Sequence, residues 1–93
     1  MPRQVIAKAR FVRAYQRLRE SDQRLVDSAL TQLREYFQTG QAPVGLGIKH
    51  VGARTFELRV NLALRVVYVV EGDLVVLALL GNHDEVRRFL RQQ

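Results

Sequence analysis

The sequence predicts an α+β fold in which a helical hairpin packs on a mainly antiparallel, twisted sheet, in the order β-α-α-β-β-β-β-α. Three observations carry this reading. Residues 55–60, 64–70 and 74–83 form three apolar, β-branched-rich runs, the last ending at His83. Asn61 and Glu71-Gly72-Asp73 interrupt them, as the turns of an antiparallel meander would. Upstream, the apolar residues change to helical spacing. Finally, 93 residues have surface enough for one core and not two, so residues 1–93 read as a single domain.

In chain order, Val5-Ile6 is a short apolar pair suited to an edge strand. From Lys8, residues Phe11, Val12, Tyr15 and Leu18 form the apolar side of a first helix, and Arg10, Arg13, Arg17 and Arg19 populate the other. Ser21-Asp22 offers an N-cap for a second helix with apolar stripe Leu25, Val26, Ala29, Leu30, Leu33 and Phe37. Gly40 is its natural stop. The short link between the helices predicts an αα-hairpin. A Pro- and Gly-containing loop then leads to a brief strand, Ile48-Lys49-His50-Val51, and Gly52-Ala53 turns into the meander.

In residues 55–60, Phe56, Leu58 and Val60 alternate with Thr55, Glu57 and Arg59, predicting one core face and one charged face. After His83, residues 84–91 read as a closing helix, with acids in the first turn and Arg in the last. Asn82 with Glu85 three residues on is the pattern of a capping box. The apolar residues Val86, Phe89 and Leu90 of that helix either seal the core or meet a partner; the pattern fits both.

Fifteen Lys+Arg against nine Asp+Glu give a net charge of +6, and all but two of the cations are Arg. That balance favours nucleic acid or an acidic protein partner. No cysteine is present, which excludes a disulfide framework and thiolate metal sites and is compatible with the cytoplasm. The N-terminus has no apolar signal region. Arg65 and Glu71-Gly72-Asp73 break the apolar region before it reaches the ~18 residues of a transmembrane helix. No histidine–carboxylate spacing suggests a metal, and Gly45-x-Gly47 is too sparse for a phosphate loop. No cofactor is expected.

The segments Phe56-Glu57-Leu58-Arg59-Val60, Leu64-Arg65-Val66-Val67-Tyr68 and Leu79-Leu80-Gly81-Asn82-His83-Asp84-Glu85-Val86, in this order, resemble the RelE/ParE superfamily of bacterial type II toxin–antitoxin toxins. The resemblance covers nearly the whole chain and implies the same fold. It implies an endoribonuclease that cuts mRNA in the ribosomal decoding site and is neutralised by a cognate antitoxin. Operator DNA would be met only through the antitoxin complex. A second branch of the superfamily poisons DNA gyrase and lacks the nuclease residues, so a gyrase-directed toxin or an inactive antitoxin-binding member is the alternative. Within the resemblance, Arg65 matches an arginine that contacts the scissile phosphate. His83 matches the position of a catalytic histidine or arginine, and Arg59 and Glu57 fall near further strand positions of the site. Many of the nucleases place an aromatic a few residues after the histidine, where this chain has Arg87 and, two positions later, Phe89.

Metal-free RNA cleavage by the 2′-hydroxyl needs a proton acceptor, a proton donor and cations for the phosphorane-like charge. His83 is suited to proton transfer because imidazole titrates near neutrality; its structural alternative is a helix-start histidine bonded to backbone. Arg65 stands inside an apolar strand and must reach a rim, a carboxylate or a phosphate. Glu57 on the neighbouring strand is its natural ion-pair partner. Arg59 reads as a second clamp or a solvated charge, and Glu57 as a general base or a surface carboxylate. Lys49 and His50 alternate on their strand, so only one shares the charged face, and Lys49 is the better phosphate contact. Lys49, His50, Arg54 and Arg87 complete the RNA-binding set. The arginines of the first helix read as a solvated face or as contacts to ribosomal RNA phosphates without sequence readout. An acidic, partly disordered antitoxin segment would wrap the same basic surface and fold as it binds.

Overall fold

The computed structural model describes residues 3–92. Its elements are β1 (Gln4–Ala7), α1 (Ala9–Arg17), α2 (Glu20–Thr39), β2 (Gly47–His50), β3 (Thr55–Arg59), β4 (Arg65–Glu71), β5 (Leu74–Gly81) and α3 (His83–Arg91). The five strands form one sheet in the order β1-β5-β4-β3-β2. Only β1 runs parallel to its neighbour, β5, and the other pairings are antiparallel. The predicted architecture and element order are those observed, with the β2, β3 and β4 limits each one residue off and β5 ending at Gly81, two residues before His83.

The main core lies between the hairpin of α1 and α2 and one sheet face. Phe11, Val26, Ala29 and Leu33 from the helices meet Leu58, Val66, Tyr68, Val75, Leu77 and Leu80 from the strands. Burial of that apolar surface is the main force holding the layers together. Two residues of the expected helical stripes lie elsewhere: Val12 and Leu25 are exposed, at 39% and 46%. Each sits at the border of its helix's apolar arc, and the sheet reaches only the centre of that arc.

The second helix starts one residue before Ser21, with Arg19 rather than Ser21 or Asp22 at the cap position and no side-chain cap. The link is only Leu18 and Arg19, both extended, so the chain enters α2 at once. Leu18 packs against the core. The Gln23 side-chain amide donates to the Tyr15 carbonyl (2.9 Å) and the Tyr15 hydroxyl donates to Asp27 (2.7 Å), tying the two helices together. That hydrogen bond, with smaller contributions from desolvation and the Asp27 charge, raises the Tyr15 pKa. α2 ends at Gly40, whose φ of 75° is left-handed, as expected for a residue without Cβ.

Strands β4 and β5 carry an irregularity that decides what faces where. Val67 pairs with Leu79 but Tyr68 pairs with Leu77, leaving Ala78 as an extra residue. A bulge of this kind shifts the side-chain phase by one. Leu77 and Leu80 therefore both reach the main core although three positions separate them. The same shift turns Gly81 to the opposite face, where it stands across from Arg65.

The α3 helix follows directly after that strand and contacts β5 and β4. Val86 is 2% exposed, and Phe89 and Leu90 are half-buried. The closing helix thus buries its apolar side within the chain. Among the described residues, no helix is long and apolar enough to cross a membrane.

Candidate active site

Alternation along β3 and β4 places Thr55, Glu57 and Arg59 on the same face as Arg65, Val67 and Val69, away from the helical hairpin. Register then arranges these residues in two cross-strand rows. One row reads Gly47, Arg59, Arg65, Gly81 across β2, β3, β4 and β5. The next reads Lys49, Glu57, Val67, Leu79. Two guanidinium-bearing residues therefore stand directly side by side, flanked by two glycines that raise no side chain. A Cβ on Gly47 would meet the Arg59 side chain at 3.5 Å, so Arg59 leans over that glycine. A Cβ on Gly81 would meet Glu85 at 3.0 Å, so Glu85 leans over this one.

Like charges directly opposite each other repel. Here the cost is offset diagonally, because Arg65 Nη1 donates to Glu57 Oε2 at 3.1 Å. The pair is largely enclosed, with side chains 18% and 12% exposed. The charged face is thus not the open surface that alternation predicts for Glu57. Thr55 is buried at its far end, and α3 covers part of the same side of the sheet. Arg65 Nε is buried without a hydrogen-bond partner. An unsatisfied buried donor costs about 1–3 kcal/mol, and it marks a place where an oxygen of a bound group would be welcome.

The strand-to-helix turn beside this row is fixed by a capping box. Asn82 Oδ1 accepts from the Glu85 backbone N–H at 2.9 Å, and Glu85 Oε1 accepts from the Asn82 N–H at 3.0 Å. The turn sets His83 as the first residue of α3, exposed and two residues beyond the glycine opposite Arg65. Arg87 is four residues further, hence on the same helix side one turn away, and is exposed. Lys49 is exposed in the second row beside Glu57.

Four of the predicted residues, Arg65, Arg59, Glu57 and Lys49, therefore occupy two adjacent rows of one sheet face, while His83 follows the end of β5 and Arg87 lies one turn further along α3. Two lie elsewhere. His50 pairs with Phe56 on the opposite face, its ring stacked at 4.8 Å on Phe56, which stacks in turn on Tyr68 at 5.3 Å. A His50 ring nitrogen lies 3.2 Å from the Ala53 carbonyl, so strand alternation makes it part of an aromatic column. Arg54 precedes Thr55, at the opposite end of β3 from Arg59. Five steps along the strand of about 3.3 Å each separate the two arginines. The Arg54 carbonyl accepts from Val70 N–H (2.9 Å), which anchors it there. The residues that sequence reasoning missed are Gly47 and Gly81, whose part depends on register, and Glu85, whose capping pattern was legible but whose position over Gly81 was not.

No family model and no curated protein matches the sequence. Solved structures do. A chain of the Escherichia coli DinJ–YafQ toxin–antitoxin complex is 15% identical, with a TM-score of 0.72 over 92% of this chain and 98% of that one. A chain of the RelB–RelE antitoxin–toxin complex from Methanococcus jannaschii is 13% identical, with a TM-score of 0.68 over 90% and 96%. YoeB from Staphylococcus aureus, solved as a dimer, is 15% identical, with a TM-score of 0.68 over 89% and 99%. The fold is that of the RelE-like toxins, a class in which a short helical hairpin backs a small mixed sheet.

Proposed function

We propose that the chain is the toxin of a type II toxin–antitoxin pair and an endoribonuclease that cuts mRNA on the ribosome in the cytoplasm. The observation that carries this reading is the side-by-side arginine pair Arg59–Arg65 beside the Arg65–Glu57 ion pair, with His83 two residues past Gly81, the residue opposite Arg65. That arrangement supplies cationic charge and a proton-transfer group around a space where a phosphodiester fits. Register supports it further: the distance in sequence between Arg65 and His83 collapses to two residues across the β4–β5 pairing.

The chemistry follows from these groups. A scissile phosphate binds between Arg59 and Arg65, and its oxygens take donors of Arg59 and of the exposed part of the Arg65 guanidinium. This loosens Glu57 from Arg65, and the freed carboxylate accepts the proton of the adjacent 2′-hydroxyl. The 2′-oxygen forms a bond to phosphorus, and the bond from phosphorus to the 5′-oxygen breaks. His83, protonated, gives its proton to that leaving oxygen. The products are a 2′,3′-cyclic phosphate and a 5′-hydroxyl, and the two arginines hold the extra negative charge in between. Lys49, opposite Glu57, adds a further positive charge on the same face. The solved relatives named above were crystallised with antitoxins in the DinJ–YafQ and RelB–RelE complexes. By likeness, this chain is restrained by an acidic antitoxin of its own.

The test is to map mRNA 5′ ends after induction of the wild type and of His83→Ala. New 5′-hydroxyl ends within translated mRNA, lost in the variant while the protein stays folded, are expected. Growth arrest with intact mRNA and accumulating gyrase-linked DNA breaks would overturn the nuclease reading.

A further inference from the structure

A second cationic site lies between α1 and α3. Arg10, Arg13 and Arg17 from one helix and Arg88 from the other line a cleft of about 400 Å³, with Phe89 and Glu85 at its wall. None of the four arginines takes part in an ion pair among the described residues. Glu85, the one carboxylate in the lining, already accepts a hydrogen bond from the Asn82 N–H through Oε1. Arg10 lies over the Phe89 ring at 5.6 Å, which orders the guanidinium at the cleft wall. Four positive charges against the single Glu85 carboxylate leave the cleft with an excess of positive charge, so it is poised for an anion.

Its shape narrows the choice. Arg10, Arg13 and Arg17 rise along about 10 Å of helix at 1.5 Å per residue, and Arg88 faces them from the opposite bank. This makes a charged channel rather than a point socket, suited to a chain of regularly spaced phosphates. The channel also adjoins the candidate active site, because Glu85 both lines it and stands over Gly81, the residue opposite Arg65.

We infer that this cleft holds the flanking phosphodiester backbone of the same RNA strand whose scissile phosphate sits at Arg65, giving the protein an extended RNA track. The inference rests on the reading of the active site above. Contacts of this kind add affinity without base readout, and each neutralised phosphate steepens the salt dependence.

The test uses 2′-O-methyl RNA, which cannot undergo 2′-hydroxyl attack, as a trimer and as a twelve-nucleotide single strand. Binding is followed by fluorescence anisotropy over a range of KCl concentrations. Wild type should bind the longer strand at least ten-fold more tightly. Arg13→Gln with Arg88→Gln should remove most of that advantage and make the log–log salt slope shallower by about 1.4, at 0.7 per single-strand phosphate contact. Arg10→Gln with Arg17→Gln provides an independent pair, and circular dichroism checks that both remain folded. Arg24→Gln with Arg34→Gln, on α2 away from the cleft, should leave the advantage in place.

Retention of the full length advantage and slope in both cleft variants overturns the inference. So does a defect confined to a hairpin RNA, which would indicate a separate structured RNA, or one confined to a polyglutamate peptide, which would indicate an acidic protein. Because the oligonucleotides are inert, an absence of new mRNA 5′ ends after induction would sink the nuclease reading while leaving the length and salt results intact.

Discussion

Neighbouring residues of β3 and β4 serve two opposite environments, and comparing them shows what each is for. On the hairpin side, Leu58 and Val66 are fully buried and pair directly across the strands. One residue away, on the other side, Glu57 and Arg65 are nearly as enclosed. The first pair is held by apolar burial, which needs no geometry beyond close packing. The second keeps two charges out of water, where desolvation opposes the Coulomb attraction and one donor is left unpartnered. A sheet optimised for stability alone would have apolar residues at both positions. The side facing the hairpin makes the fold, and the other side carries a cost that a bound phosphate would relieve.

Several substitutions separate these two roles. The largest effect is expected from Leu58→Ala, which leaves a cavity under the hairpin and should lower stability by about 2–5 kcal/mol in urea unfolding. Glu57→Leu alone strands the Arg65 charge and should cost about 1–3 kcal/mol. The double variant Glu57→Leu with Arg65→Leu should recover most of that loss, or exceed wild-type stability, while abolishing RNA cleavage. If the double variant is as unstable as the single one, the pair is a structural element and the contrast between the two faces fails.

Smaller again, Asn82→Ala removes one half of the capping box and should cost about 1 kcal/mol. Because that turn positions His83, cleavage should fall further than the stability loss alone would give, measurable as a lower kcat on a model RNA.

The last expectation concerns pH. Burial, reinforced by the neighbouring Tyr36 and opposed by Arg3, pushes the Tyr68 hydroxyl well above its ordinary value of 10.0. The neutral phenol is therefore favoured by folding. That contribution is fully present below pH 10, where the unfolded chain is also protonated, and is lost as pH rises towards the folded value. Urea unfolding of wild type above pH 10 should show this decline, and Tyr68→Phe should flatten it. An equally steep decline in the variant would assign the effect to other groups.

Most of the architecture was legible because the apolar period switches from helical to alternating at the right places. Arg65 was legible as a candidate for a simple reason, a cation inside an apolar strand. His83 was legible only through the company of Gly81, Asn82 and Glu85. Alternation already favoured Lys49 over His50 for the charged face, whereas Arg54 was read from its charge and its proximity in sequence without register. One residue of alternation puts His50 on the aromatic column, and the length of β3 carries Arg54 to the wrong end. Val12 and Leu25 misled because helical spacing defines an arc wider than the sheet can cover. The arginine cleft was out of reach as a unit, since Arg88 and the α1 arginines meet only in the tertiary structure.

The extra residue at Ala78 has a consequence for how this protein can change. Upstream of it, Val75 and Leu77 turn to the hydrophobic interior; downstream, Leu80 does so while Gly81 turns to the face that carries Arg65. Removing a single codon there would put one half of the strand out of step with its surroundings, exchanging inward for outward side chains along several positions. Point changes along β5 are absorbed locally, whereas a shortening by one would force a choice between a sound interior and a working edge.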